Sequence, residues 1–457
     1  MIHRAPLSRK ASTQSLQSLY SQRRSSASCA DLQRIQDTFK RKRTFSNQFL
    51  TILLVLSCPL LFAYHYIIFN FNGSIKETLR VFLFTEYTID VPLNMVAFVF
   101  PLFLVCGHLV MVVILPVEDM VILEMDGTFK QRKLNSFTCS FLFTLFYILG
   151  SGLNLYDGGC VFENWLQIST VISIIIIVSL LLTIGRTARA YNDSNTILSD
   201  LYFGIDLTPQ FLDIDIKKFI THHLSTSIWL IYIVSAILHA KKTQKQISDT
   251  LIGVCLLQIV YIFKFLWNEH FFYSNLDAQN DKAGFYRIWG VLVFMPTIYT
   301  TPITLAAKVS KGGNVFFYNM TILTVGLMAQ WITAAIDRQK YNFRLSQGRC
   351  KIWGYDPFFI VAKSRKENGD IHTSLILGSG FWGISRRLNY SMEWISIVTW
   401  TLMSGSSTLL ALFPVLFITI FLIGRGLRDE QRLLQKYGNY WVQYCQRVPF
   451  IFMPGVY

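Results

Sequence analysis

The chain has 457 residues, of which 52% are hydrophobic and only 15% charged, with a formal net charge of +15. Soluble domains carry about 25% charged residues, and long apolar runs recur from Phe49 onward, so a water-soluble globular protein is excluded. A zinc module and a disulfide framework are excluded as well: the eight cysteines are scattered, form no CxxC pair and lie mostly inside apolar runs.

Residues 1–48 gather ten Lys/Arg against Asp31 and Asp37, about half of the net charge in a tenth of the chain. Rich in Ser and Gln and lacking a long apolar run, this segment is expected to be a disordered tail. The basic run "KRKRTF" directly before the first apolar stretch places it on the cytosolic side. It carries no secretory signal pattern. Its Arg-Ser content reads as a solvated tail, and no nucleic-acid partner is expected.

Ten candidate helices follow, at about 49–69, 91–115, 137–153, 165–184, 219–240, 248–266, 289–309, 315–336, 395–405 and 409–424. The expected fold class is therefore an all-α polytopic membrane protein with about ten transmembrane helices. The last two are the least regular, and "MSGSS" between them is suited to a tight turn. The even count returns the chain to the cytosol, where residues 338–392 carry ten Lys/Arg against Asp356, Glu367 and Asp370. Both termini are thus expected in the cytosol. "KKTQK" at 241–245 runs against that bias. Asn72-Gly73-Ser74 is a glycosylation sequon, but reads more simply as a polar turn.

The chain accordingly divides into the tail at 1–48, helices one to eight at 49–336, and a C-terminal region at 337–457 that holds the last two helices. The 338–392 loop, with turn residues and β-branched stretches, is expected to be folded. Lys340 and Arg344, four apart, share one helix face. Together with Arg386, Arg387, Arg425 and Arg428 they would form a cationic rim at one membrane face. Arginine forks suit phosphate oxygens, neighbouring Trp, Tyr and Asn could stack on and hydrogen-bond a heterocycle, and Gly378, Gly380 and Gly383 would let backbone approach a ligand. A dinucleotide fits this inventory, without a Rossmann GxGxxG. The competing reading is a rim that meets anionic lipid headgroups. No metal-ligand spacing is present, and the histidines read as polar packing.

The stretch "GSGFWGISRRLNY" at 378–390 resembles the SGxWGxxRHxNY signature of the sterol reductase family, and "RDEQRLLQKYGNYWVQYCQRVPFIFMPGVY" at 428–457 resembles that family's C-terminal signature. "GRCKIWGYDP" and "YIFKFLWNEHFFY" lean toward its Δ7-reducing branch. The resemblance runs from about Tyr202 to Tyr457. It implies an endoplasmic reticulum membrane enzyme, with the nuclear envelope as a further location. NADPH would bind at the cytosolic face in the C-terminal half, and a sterol taken from the bilayer would undergo reduction of a carbon–carbon double bond, here the Δ7 bond. It further implies that Lys340, Arg344, Leu377, Trp382, Arg386, Arg387, Asn389, Tyr390, Arg425, Asp429 and Tyr437 face the cofactor. Glu269 of "WNEH" and Glu393 of "SMEW" are the candidates for the proton path. Several positions depart from the family: Arg387 stands in place of His, Gly424 in place of His, and Lys282 and Val291 replace a His and an Asp. Lys264 stands where the Δ7 enzymes carry Asp. The alternative reading is a family member with altered or lost catalysis that still binds sterol or cofactor.

Overall fold

A backbone surrounded by hydrocarbon can satisfy its polar groups only within helices or closed barrels, and the long apolar runs of this chain all form helices. The computed structural model describes residues 29–85, 94–123, 129–188, 197–211, 214–244, 246–274, 278, 281–308, 316–365 and 371–455. In chain order the main elements are α1 (Cys29–Phe71), α2 (Ile75–Phe84), α3 (Val96–Ile114), the hairpin β1 (Glu118–Leu123) and β2 (Phe129–Leu134), and α4 (Ser136–Gly152). Then come α5 (Trp165–Ala188), α6 (Ile197–Phe203), α7 (Ile216–Thr243), α8 (Asp249–Trp267) and α9 (Phe285–Lys308). The C-terminal region consists of α10 (Phe316–Leu345), the hairpin β3 (Phe359–Arg365) and β4 (Ile371–Leu377), α11 (Leu388–Met403), α12 (Phe413–Tyr437) and α13 (Asn439–Arg447).

Among the described residues, eight helical stretches are long and apolar enough to cross a membrane: Leu50–Phe71, α3, α5, α7, α8, α9, α10 and Leu409–Tyr437. The protein is a multi-pass membrane protein. Each of the ten expected segments overlaps a helix, residues 91–93, 309 and 315 lying outside the described residues, but α4 and α11 have only 17 and 16 residues. They reach about 25 Å, short of a ~30 Å hydrocarbon core. α7 and α9 are central, with 78% and 72% of their most apolar stretches buried, against 22% for Leu50–Phe71. The outer helices present bare apolar side chains such as Leu60, Leu102, Trp331 and Ile420.

Helix ends depart from the apolar boundaries in an informative way. α1 begins at Cys29, inside the segment expected to be disordered, and the remainder of that segment lies outside the described residues. α10 continues past 336 to Leu345, α11 starts at Leu388 rather than 395, and α12 continues past 424 to Tyr437. The apolar pattern ends where lipid ends, whereas the helix continues into water for as long as its residues have helical propensity and packing partners.

The junction between α11 and α12 is the tight turn its small residues allow, with Gly405 left-handed at φ +64°. At the sequon, Asn72 and Gly73 are both left-handed and Ser74 caps α2 by accepting the Glu77 N–H at 3.3 Å, so these residues form a structural turn. A Cβ on Gly73 would lie 2.8 Å from Thr408, in the neighbouring turn. Of the "KKTQK" lysines, Lys242 pairs with Asp157, nearby His239 meets Glu163 at 2.7 Å, and Lys245 lies outside the described residues. The hydrogen bond from Lys242, then that from the Gly159 N–H, holds the Asp157 carboxyl below its ordinary range.

Two π-helical stretches, Phe219–Ser225 in α7 and Gly290–Phe294 in α9, lie side by side, linked by the Ser225 hydroxyl donating to the Val291 carbonyl at 2.6 Å. His222 and His223 lie on the first and are buried, His222 stacking on Phe265 and His223 sharing a hydrogen bond with Ser136 at 3.0 Å.

Candidate functional site

The C-terminal elements converge at one end of α10. Asp337, Lys340 and Arg344 recur at helical spacing, so they share a face. The "GSGFWG" stretch is stapled across that face. Gly380 is left-handed at φ +62°, and a Cβ there would lie 2.5 Å from the Gln339 amide. The Phe381 N–H donates to Gln339 Oε1 at 3.0 Å, and the Trp382 indole donates to the Ile336 carbonyl at 3.1 Å. Trp382 is thereby fixed beneath Lys340, whose Nζ lies 4.4 Å from the ring centroid. Tyr444 of α13 donates to the Trp382 carbonyl at 3.1 Å, and burial pushes its phenol up, which keeps it a neutral donor.

The three glycines serve close packing of protein on protein rather than approach to a ligand. Beyond the Gly380 contact, a Cβ on Gly378 would strike Phe358 and one on Gly383 the Gly378 carbonyl, each at 2.8 Å.

The adjacent arginines have different tasks. Arg386 Nε meets Glu430 at 3.1 Å, and its Nη1 donates to the carbonyls of Val448 and Pro449 at 2.8 and 3.1 Å. The backbone N–H groups of Arg386 and Arg387 donate to Phe450 and Ile451 at 3.0 and 2.7 Å, and the Ser385 hydroxyl adds bonds to Ile451 and Phe452. Arg386 is thus a buried peg that holds the C-terminal segment against α11. Arg387 instead bridges to Asp429, which also receives Arg432 at 3.1 Å. Arg387 and Arg425 flank the Tyr390 ring, at 5.7 and 5.8 Å.

Asn389 donates to Asp337 at 3.1 Å, tying α11 to α10. Arg344 lies in the electrostatic field of Arg387, Arg432 and Tyr437. Leu377 is buried in a small core with Ile336, Phe343, Ile352 and Trp382, and Tyr437 in another with Trp441 and Tyr444. The fold therefore gathers Lys340, Arg344, Trp382, Arg387, Asn389, Tyr390, Arg425 and Asp429 at one mouth, with Leu377 and Tyr437 in its supporting cores and Arg386 turned to the chain end.

Beneath the mouth lies a second polar group. Glu393 of α11 accepts the Tyr261 hydroxyl and meets Lys264 Nζ at 3.7 Å, both from α8. Lys264 also stands 4.6 Å over the Tyr261 ring, which meets Trp400 edge-on at 5.1 Å. Asn389, which holds Asp337, stands four residues before Glu393 on α11, so the two share a helix face and place this group beside the cationic one. Glu269 sits in a different constellation. It is 4% exposed and ties α4 to α7, accepting the Ser136 N–H and hydroxyl at 3.0 and 2.7 Å and pairing with Lys218 at 2.6 Å.

Sequence reasoning missed Asp337, Tyr261 and Glu430. Asp337 was legible from its spacing to Lys340, and Tyr261 from standing three residues before Lys264. Glu430 had no such signal, because its partner lies on another element.

The donor set suits a phosphate-bearing group. Cations outnumber carboxylates around the mouth, two aromatic rings lie under guanidinium or ammonium groups, and the buried Nε of Arg387 has no hydrogen-bond partner among the described residues. Fold and site together define a polytopic membrane protein with a cationic, aromatic cluster beside a half-buried acid–phenol–amine group.

The chain belongs to the ergosterol biosynthesis ERG4/ERG24 family, whose profile matches residues 49–457, and it is thus a member of a sterol reductase family. It is 34% identical over 279 residues to the 7-dehydrocholesterol reductase of Arabidopsis thaliana, covering 60% of this chain and 64% of that one. With the 7-dehydrocholesterol reductase of Danio rerio it shares 30% over 263 residues, 56% of this chain and 53% of the relative. It is also 25% identical over 336 residues to the Delta(14)-sterol reductase of Methylotuvimicrobium alcaliphilum, covering 73% and 76% of the two chains. The matches to the two 7-dehydrocholesterol reductases thus span less than two thirds of those proteins' lengths.

Proposed function

We propose that this protein reduces a carbon–carbon double bond of a sterol with NADPH, most specifically the Δ7 bond, in the endoplasmic reticulum membrane. The observation that supports the reading is that α11 carries both Asn389, bonded to Asp337 in the cationic cluster, and, one turn on, Glu393 of the half-buried Tyr261–Glu393–Lys264 group. When bound, NADPH supplies a hydride. Lys340, Arg344, Arg387 and Arg425 would hold its phosphates, with Trp382 and Tyr390 offering ring faces and Asn389 a polar edge. Reduction of an alkene also needs a proton. Tyr261 carries one at its Oη, hydrogen-bonded to Glu393, and the Lys264 ammonium, which meets the same carboxylate, would restore it through Glu393. The Tyr261 proton would go to one alkene carbon and the hydride of bound NADPH, leaving NADP+, to the other, so the double bond would become a single bond. The sterol enters from the bilayer, because the Tyr261 group lies between membrane helices.

The reading is tested by expressing the protein in cells that lack their own Δ7 reductase and profiling their sterols by mass spectrometry. A fall in 7-dehydrocholesterol is expected. A fall in Δ14 or Δ24 sterols instead would move the bond but keep the chemistry. A second reading, a cofactor-binding family member without turnover, is favoured by Val291, an apolar side chain whose backbone carbonyl accepts from Ser225, and by the exposure of Lys282. An unchanged sterol profile together with intact NADPH binding would select it.

A further inference from the structure

The turn between α10 and β3 carries an aromatic and cationic surface that the reduction chemistry does not use. Ile352 and Tyr355 exchange backbone hydrogen bonds at 2.8 and 3.1 Å, closing a two-residue hairpin. Its central residues, Trp353 and Gly354, are both left-handed, at φ +52° and +87°. Gly354 adopts this conformation freely, but for a bulky tryptophan it is strained. The turn points the indole outward: Trp353 is 58% exposed and Tyr355 79%. Phe358 and Ile384 are exposed beside them. The surface is continuous, because Trp353 meets Phe381 edge-on at 5.1 Å on the same short turn as Ile384, and Phe358 is bonded to Ser379. Arg349, Lys351 and Arg447 are exposed around it, Arg447 lying 5.6 Å over the Phe358 ring, with Asp356 as the neighbouring acid.

The turn also folds back toward the bilayer. Ile352 packs beside Gly380 against Gln339, although α10 continues to Leu345. Gln339 therefore lies about 9 Å back from the end of α10. Counted from Phe316, a ~30 Å hydrocarbon core is spanned at about Ile336. Gln339, and Ile352 beside it, thus lie within about one helical turn of that level. A ~30 Å core begun at Phe316 would leave Trp353 and Tyr355 near the headgroups, where aromatic side chains are favoured. A cationic surface at that depth fits an anionic one.

We propose that this surface docks on anionic phospholipid headgroups, with Trp353 and Tyr355 entering the interface beside α10 and Arg349, Lys351 and Arg447 binding lipid phosphates and carboxylates. Gly380 and Trp382 belong to the same packed unit, so the lipid contact braces the roof of the candidate cofactor mouth. The docking itself is independent of which bond is reduced.

The test places the full-length protein in nanodiscs of phosphatidylcholine alone or phosphatidylcholine mixed with phosphatidylserine, and follows hydrogen exchange in a peptide covering 349–358. Exchange should be several-fold slower with phosphatidylserine, and the difference should shrink at high salt. The double variant Arg349→Glu/Lys351→Glu should lose the difference, while the α11 peptide 388–403 keeps wild-type protection and so reports intact folding. Equal exchange of the wild-type turn in the two nanodiscs overturns the proposal. So does protection that follows NADPH rather than phosphatidylserine, which would assign the surface to the cofactor. If the charge variant loses α11 protection, the wild-type comparison decides alone.

Discussion

Arg386 and Arg387 are neighbours in sequence with different energetic roles. Arg386 is 7% exposed, paired with Glu430 and bonded to two C-terminal carbonyls. Removing one member of a buried, hydrogen-bonded pair costs about 3–5 kcal/mol, because the other is left uncompensated. Arg386→Gln should therefore lower unfolding stability by about 3 kcal/mol, measured by thermal or denaturant unfolding in detergent. Arg387→His, which restores the family's residue, should cost far less, since Asp429 keeps Arg432 at 3.1 Å. Tyr261→Phe removes a hydroxyl but little volume. If Tyr261 is the proton source, turnover should fall about 10²–10⁴-fold while NADPH-dependent thermal stabilisation is unchanged. A matching loss of NADPH binding would instead make Tyr261 a packing residue.

His270, just beyond α8, gives a pH dependence. Burial, then the Arg338 charge, holds its imidazole below the ordinary value of 6.5. The folded chain therefore resists the proton that the unfolded chain accepts, so stability falls as pH drops through 6.5 toward the lower folded value. His270→Phe should reduce that slope in melting temperatures recorded across the interval.

At the scale of elements, the unit that matters is the strap of residues 378–387 across α10. Its geometry depends on Gly380, where φ is +62° and the Cβ position falls 2.5 Å from Gln339. Gly380→Ala should cost about 1–3 kcal/mol and weaken NADPH-dependent stabilisation. Gly424, within α12, has open space around its Cβ position, so Gly424→Ala should be neutral or stabilising by up to about 1 kcal/mol through helix propensity. The contrast separates a glycine required by close approach from one that is not. Both were visible in the sequence as letters, but only their surroundings give them different weight. The helices themselves were legible, because each apolar run must satisfy its own backbone. The extensions of α10 and α12 beyond the apolar limits were not, because lipid contact ends before the helix does.

For the whole molecule, the long apolar runs, the basic flanks and the two long signatures together determined a polytopic membrane protein of the sterol reductase family whose cations crowd its C-terminal region. Those features are local: span length, charge near span ends and ordered motifs can be read one segment at a time. The tertiary structure decided which cations stay at the mouth and which are spent on the scaffold. Arg386 is held by carbonyls more than sixty residues away in the chain, and Glu269 by α4 and α7. It also brought Glu393 of α11 onto Tyr261 and Lys264 of α8. Such pairings depend on how helices pack across the bundle, and packing is set by the sum of many side-chain contacts that no single segment contains.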